Sequence, residues 1–380
     1  MIPITRPLLG DEESEAAAAA VRSGWVTQGP RVAEFEQAVA DYCGSGHAVA
    51  VSSGTAALHL VLAALGIGPG HEVICPSMSF VATANAICMT GAVPVFADVD
   101  RRTYNLDPDA AKTMIGPTTK AILVVHQIGL PADLARFLEI GRRHNLEIVE
   151  DAACALGSCY DGCPIGGHYD IEGSSAACFS FHPRKVITTG EGGMVTTDRA
   201  ELAQNIRRLR NHGMSTPAGV RHNNRELIVP SYDTLGYNYR MSDIQAAVGV
   251  EQMKRLDDIV RRRRSLAGRF DAALVGHPWL RGPFVPDNVQ TNYQSYAVSL
   301  ADNAPIERDE LVARLRELGV AAGVGIMLAH REKPHSTRRG ADSLGVSQMA
   351  HERSLLLPLY PQMSDGEVEQ VVDALWTVAK

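Results

Sequence analysis

The chain has 380 residues, more than one ordinary hydrophobic core sustains, so two domains are the expected organisation. Apolar residues make up 45% and charged residues 21%, the profile of a folded globular protein rather than a disordered one. A formal net charge of -7 gives no bulk attraction for nucleic acid or an anionic membrane, and no apolar run is long enough to cross a bilayer.

In chain order, the opening MIPITRPLLGDEESEA lacks the basic head, apolar middle and small-residue cleavage site of a secretory signal. Seven scattered cysteines (Cys43, Cys75, Cys88, Cys154, Cys159, Cys163 and Cys178) suit reduced thiols, and a cytoplasmic protein is expected. The triplet Cys154, Cys159 and Cys163 fits no common zinc spacing and brings no histidine pair, so no metal site is expected.

From residue 48 onward, short apolar runs alternate with helical patterns: 48–52, 72–75, 93–97, 121–126, 147–150, 177–181 and 194–197. Between them, Leu58, Leu62 and Leu65 fall on one helical face with Gly66 as a stop, and Leu134, Phe137, Leu138 and Gly141 form a second stripe. This alternation predicts an α/β fold: a seven-stranded, mixed but mostly parallel sheet with helices on both faces. Its last two strands are joined by only a loop, so that pair is expected to be antiparallel. The stretch 214–235 is long for a connection and is read as mobile or functional. At Ser242 the run SDIQ has the form of a capping box with Gln245, opening one long helix through Ile244, Val248, Leu256 and Ile259. Arg261–Arg264 is expected to be the solvated or interface-facing side of that helix. A strand over 295–300, a helix with Leu311, Leu315 and Leu318, and a last helix capped by Ser364 and Glu367 complete a smaller α+β domain. The division expected is 1–245, a large domain with an N-terminal arm, and 246–380, a small C-terminal domain.

Three places in the large domain can carry chemistry. A strand runs into Ser53-Gly54-Thr55 and straight into a helix, which makes either a phosphate cradle of free amides or a plain helix cap. No Walker lysine and no G-x-G-x-x-G motif occurs, which argues against a nucleotide P-loop or dinucleotide site. A second strand ends at Glu150-Asp151, where ligands of open α/β sheets collect, and Asp151 is either a ligand contact or a cap. The third place is FSFHPRKVITTGEGG (179–193), where Gly190, Gly192 and Gly193 let the chain turn back and Lys185 is a solvated charge, an anion clamp or a covalent catalyst. Together the three meet the needs of pyridoxal 5'-phosphate: an anchor for its phosphate, a carboxylate for its ring nitrogen and an amine for its aldehyde. Phe80, in PSMSFVATANA, is either a ring-stacking aromatic or a core residue.

These segments resemble the fold-type-I, pyridoxal-phosphate-dependent sugar aminotransferases of the DegT/StrS type. The likeness runs through SGWVTQGPRVAEFE (23–36), SSGTAALHL (52–60), PSMSFVATANAI (76–87), GAVPVFADVD (91–100), EDAACALGS (150–158), FSFHPRKVITTGEGGMVTTD (179–198), GYNYRMSDIQAAVG (236–249) and LLPLYP (356–361). The resemblance implies that Lys185 is the Schiff-base lysine, Asp151 the partner of the ring nitrogen, and Gly54, Thr55 and Ser180 the phosphate contacts. It implies that Phe80 stacks on the ring, and that Asn238 reaches the phosphate in the neighbouring subunit, hence a homodimer with shared active sites. A branch of the family with histidine in place of the lysine dehydrates sugars, and Lys185 favours the aminotransferase branch. The implied reaction is ping-pong transfer of an amino group from glutamate or glutamine to a nucleotide-activated keto-deoxysugar, with a keto-cyclitol acceptor, a sugar dehydratase or a non-catalytic regulator as alternatives. Two places depart from the family pattern. Cys154 stands where glutamine or histidine is usual at the cofactor, and GVGIMLAHREKPHSTRRG (323–340) replaces a His-Tyr-x-Pro-Leu-His segment, leaving His330 as either a substrate contact or a surface histidine. HQIGLP (126–131) also departs from a commoner His-Leu-Tyr-Gly form.

Overall fold

The computed structural model describes residues 1–169, 174–215 and 229–379, so residues 216–228 of the long connection lie outside the described residues. The seven apolar runs form one sheet from β1 (His47–Val51), β2 (Glu72–Pro76), β3 (Val93–Ala97), β4 (Thr119–Val125), β5 (Glu147–Asp151), β8 (Ser174–Ser180) and β9 (Gly193–Thr197). Between β5 and β8 the chain makes β6 (Cys159–Tyr160) and β7 (Cys163–Pro164), which join β11 (Val289–Gln290) in a separate three-stranded sheet. The large sheet has the order β1-β9-β8-β5-β4-β2-β3. All its neighbours are parallel except where β9 meets β8 and β1, as a loop too short for a crossover requires.

Both faces of the sheet are covered, which explains why its strands read as continuous apolar runs. On one face Ala48, Ala50, Ile74, Val124 and Ile148 pack with α2 (Pro30–Cys43) and α6 (Leu134–His144). On the other, Val49, Val51, Val73, Cys75 and Val149 pack with α3 (Gly54–Ala64), α4 (Ala82–Met89) and α7 (Ala200–Leu209). The expected stripe on α6 is buried as read. Helix α3 exceeds its expected single stripe: Leu58, Leu60, Val61 and Leu62 are all buried, because the helix lies between the sheet and its neighbours α4 and α7. Gly66 follows with φ +72, a left-handed stop.

The capping box at Ser242 and Gln245 is present, but the long helix it was expected to open is two helices, α8 (Asp243–Lys254) and α9 (Leu256–Leu274). The break falls at Arg255, with φ -106 and ψ -1, whose guanidinium reaches Glu13 and the Leu8 carbonyl. The arginine run is not a solvated face. Arg261 is exposed and pairs with Asp258, whereas Arg262, Arg263 and Arg264 donate to backbone carbonyls, and Arg263 is fully buried. Helix α9 packs with α10 (Arg308–Glu317) and α12 (Asp365–Thr377) around an antiparallel sheet of order β10-β12-β14-β13. Those strands are β10 (Leu280–Arg281), β12 (Tyr296–Leu300), β13 (Gly323–Val324) and β14 (Ser354–Leu357). Ile2 lies in this core too, its amide bonded to Gly319.

Candidate active site

The register of the large sheet puts four chain segments on one rim. Asp151, the last residue of β5, lies opposite Cys178 of β8, two residues before Ser180; Ser180 pairs with Gly193, which also pairs with Val51, three residues before Gly54. The contact is tight. A Cβ on Gly54 would stand 2.8 Å from the Ser180 Cβ, and one on Gly193 would stand 2.4 Å from the Ser53 carbonyl oxygen. Only glycine at both positions lets the start of α3 press against the ends of β8 and β9.

At the start of α3, Ser53 is the N-cap and its hydroxyl accepts the Ala56 amide at 3.1 Å. The first-turn amides of Gly54 and Thr55 point out of the helix beside Ser180, at the positive end of the helix dipole. Helical geometry thus builds an anion site against a serine hydroxyl.

Lys185 sits on a loop pinched off where the Thr189 amide donates to the Phe181 carbonyl at 3.0 Å. Its amide donates to the His182 carbonyl at 2.8 Å, and its half-buried Nζ donates to Cys154 Sγ at 3.1 Å. Asp151 is buried. Its Oδ2 accepts the Thr83 hydroxyl at 2.8 Å and its Oδ1 the Ala153 amide at 3.2 Å. Burial pushes its pKa up, opposed by the Thr83 hydroxyl, the Ala153 amide and the charge of Lys185. Phe80, on the loop between β2 and α4, is 69% exposed, which excludes the core alternative. Asn238 is exposed, and its Oδ1 accepts from Arg240 Nε at 3.1 Å.

Residues 7–376 match the model of the DegT/DnrJ/EryC1/StrS aminotransferase family. The chain belongs to this family. It is 39% identical over 383 residues to the spore coat polysaccharide biosynthesis protein SpsC of Bacillus subtilis (strain 168), covering 100% of this chain and 97% of SpsC. Among solved structures it is similar to S. venezuelae DesV in complex with a ketimine intermediate (33% identity, TM-score 0.89, 100% of this chain and 98% of that one). It is also similar to the PLP form of a sugar aminotransferase from Streptococcus pneumoniae, Spr1654 (28% identity, TM-score 0.90, 100% and 98%). The protein is a fold-type-I sugar aminotransferase whose cofactor is pyridoxal 5'-phosphate.

The residues of this aminotransferase fit that cofactor chemically. The Gly54–Ser180 junction suits a phosphate, Asp151 a ring nitrogen and Lys185 an aldehyde, all on one rim. Among the described residues no group of three or more His, Cys, Asp or Glu side chains could hold a metal ion, and no helix is long and apolar enough to cross a membrane. The cysteines form no disulfide.

His330 is not a surface histidine. It is 7% exposed, on a 3-10 turn (Ala329–Arg331), and its amide donates to the Ser77 hydroxyl oxygen at 3.0 Å. The same hydroxyl lies 2.6 Å from His330 Nδ1, and the side-chain amide nitrogen of Gln348 lies 3.4 Å from His330 Nε2, so both ring nitrogens have a partner. Burial, then Arg331, lowers the pKa of His330. Ser77 directly follows β2 on the loop that carries Phe80, so His330 is tied to the same side of the sheet.

Several residues of the site have no counterpart in the sequence reading. Thr83 and Ser79 support Asp151, with 2.7 Å between the two hydroxyls; their i,i+4 spacing in SMSFVAT was the available signal. Asn292 donates to the carbonyls of Cys154 and Leu156 at 2.8 Å each, holding the segment after β5. His126 accepts the Ala132 amide on Nδ1 at 2.9 Å, so Nε2 carries the proton given to Glu150 at 3.0 Å. No local pattern announces those long-range pairings.

Proposed function

We propose that this enzyme moves an amino group from glutamate or glutamine to a nucleotide-activated keto-deoxysugar, by ping-pong exchange at Lys185. The observation that carries the reading is the convergence of a helix N-terminus, a buried carboxylate and a half-buried lysine on one rim of one sheet. In this reading Lys185 binds the cofactor's aldehyde, Asp151 faces its ring nitrogen, and Gly54, Thr55 and Ser180 hold its phosphate. Phe80 covers the ring face, Cys154 lies beside the reactive amine, and His330 borders the substrate. The cofactor supplies an electron sink that stores the amino group between the two half-reactions. Lys185 Nζ, once released, is the base that takes the proton from the donor's α-carbon. One amine in both roles accounts for the lack of a second conspicuous base in the motifs.

Asn238 completes the phosphate site of a neighbouring subunit in a homodimer. The exposure of Phe80, Tyr232 and Leu235, at 69%, 58% and 83%, supports a surface that a second subunit covers. A cytoplasmic location and the division into domains 1–245 and 246–380 belong to the same proposal. The part that SpsC has in spore coat polysaccharide biosynthesis supports a sugar acceptor for this chain too.

Borohydride reduction of the cofactor-loaded enzyme followed by peptide mapping is expected to place the label on Lys185. A label on another residue, or none with cofactor bound, overturns the assignment. Lys185→Ala is expected to lose the visible absorption band at about 410–420 nm. Incubation with glutamate or glutamine and separate keto acceptors tests the substrate: amination of a keto-cyclitol alone would refute the nucleotide-sugar reading.

A further inference from the structure

We propose that the Ser79–Thr83 hydroxyl pair is the device that keeps Asp151 an ionised carboxylate for the cofactor's ring nitrogen, with Thr83 as a positioning residue and Ser79 as its orienter. This rests on the reading of Asp151 given above and goes beyond it to the side chains behind the carboxylate.

Asp151 has been taken out of water, and an uncompensated buried carboxyl picks up a proton and becomes neutral. A neutral acid cannot supply the negative charge that a protonated ring nitrogen needs. The structure provides two donors, one per oxygen: the Ala153 amide on Oδ1 and the Thr83 hydroxyl on Oδ2. The amide is a fixed donor. The hydroxyl can rotate, so its direction has to be set by something else.

Ser79 Oγ, 2.7 Å from Thr83 Oγ1, sets it. An ionised carboxylate only accepts, so the single hydroxyl proton of Thr83 goes to Asp151, and its oxygen is left to accept the proton of Ser79. The chain Ser79 to Thr83 to Asp151 runs one way for the ionised acid. Both hydroxyls are buried, at 3% and 1% exposure, so water does not compete for either proton. Ser79 is on the bend before α4 and Thr83 is in the first turn of that helix, so the entry of the chain into α4 brings the two hydroxyls together.

Among the described residues no other titratable group hydrogen-bonds the Asp151 carboxylate, although the charge of Lys185 also favours its ionised form. Lys185, from the loop after β8, is committed to the reaction. His126, after β4, gives its proton to Glu150. Cys75 on β2 and Cys178 on β8 are thiols whose pKa values burial pushes up, so they stay neutral and offset no charge. Glu150, the preceding residue of β5, adds a like charge and is served by His126, Tyr169 and Ser174.

The test is the retention of cofactor by the holoenzyme as pH falls, read by separating bound from free cofactor, with no turnover involved. Thr83→Val keeps the shape and removes the hydroxyl; the acid limb of retention is expected to move up by about one pH unit, the scale of one hydrogen bond to a charged group. Thr83→Ser is expected to restore the wild-type limb, and Ser79→Ala to move it the same way by a smaller amount. An unmoved limb in Thr83→Val, or no rescue by Thr83→Ser, overturns the inference. If Thr83→Val fails to fold, Ser79→Ala carries the test, and a wild-type limb in that variant is equally fatal. Asp151→Asn separates the two layers. If it retains cofactor as the wild type does, the reading of Asp151 itself is wrong; if it releases cofactor and Thr83→Val does not, only the hydroxyl relay is refuted.

Discussion

Asp151 shows what this site costs the fold. Burial raises its pKa in the folded chain, so the stability it contributes is full below the ordinary aspartate range and is lost as pH rises through the raised value. Above that raised value the protein without cofactor holds a charge that it would be more stable without. Asp151→Asn is therefore expected to melt above the wild type at pH values above the raised one in the absence of cofactor, and the gap to close as pH falls through it. The same variant is expected to hold cofactor on the order of ten- to a hundredfold less tightly, from the loss of about 1.5–3 kcal/mol of a charge-assisted hydrogen bond. Calorimetric melts across pH and equilibrium dialysis check the two halves. Asp151 was legible as a strand-end acid, whereas its dependence on Thr83 was not, because the two are joined across 68 residues of chain.

Among the elements, α2 has a start that depends on a distant residue. Its N-cap is Gly29, which has no side chain to accept the first-turn amides. Asp243 replaces that side chain from the start of α8: its Oδ1 accepts the amides of Gly29 at 2.8 Å and Val32 at 3.0 Å, and its Oδ2 that of Arg31 at 3.2 Å. Asp243 is 1% exposed, so removing it leaves donors that water does not readily reach. Asp243→Ala is expected to cost about 2–4 kcal/mol in urea unfolding, and Asp243→Asn less, because an amide oxygen still serves two of the three amides. In SDIQ the aspartate reads as the first residue of its own helix, after the capping serine. That it also caps another helix is a fact of packing alone.

At the scale of the whole molecule, the arginine run of α9 ties distant parts of the chain together. Arg263, with its pKa pushed down to about 10 by burial, is charged at neutral pH and donates to the carbonyls of Tyr293, Gln294 and Leu359 at 3.1–3.2 Å. Arg264 reaches the carbonyls of Thr291 and Gly157, at 2.9 and 3.2 Å. Gly157 follows the Asp151 strand, so this contact joins the segment behind the active site to α9. Arg263→Met fills similar space but leaves three carbonyls without a donor, and is expected to destabilise by about 2–4 kcal/mol. Arg261→Met, at the exposed end of the run, is expected to change stability by under about 0.5 kcal/mol. Paired denaturation curves distinguish a packed run from a solvated one.

The sequence alone determined the seven strands, the antiparallel loop-joined pair, the capped helices and the three places able to hold a cofactor. Those features are local: apolar periodicity, a cap three residues from its partner, a glycine where the chain must turn. Only the tertiary structure decided that α3 is buried nearly all round, that the helix after Ser242 breaks at Arg255, that three of four consecutive arginines face backbone carbonyls and that His330 is enclosed. Each of these depends on which surface comes to lie against the element. A short stretch of chain fixes the direction in which a side chain leaves the backbone, whereas its partner is supplied by segments up to hundreds of residues away.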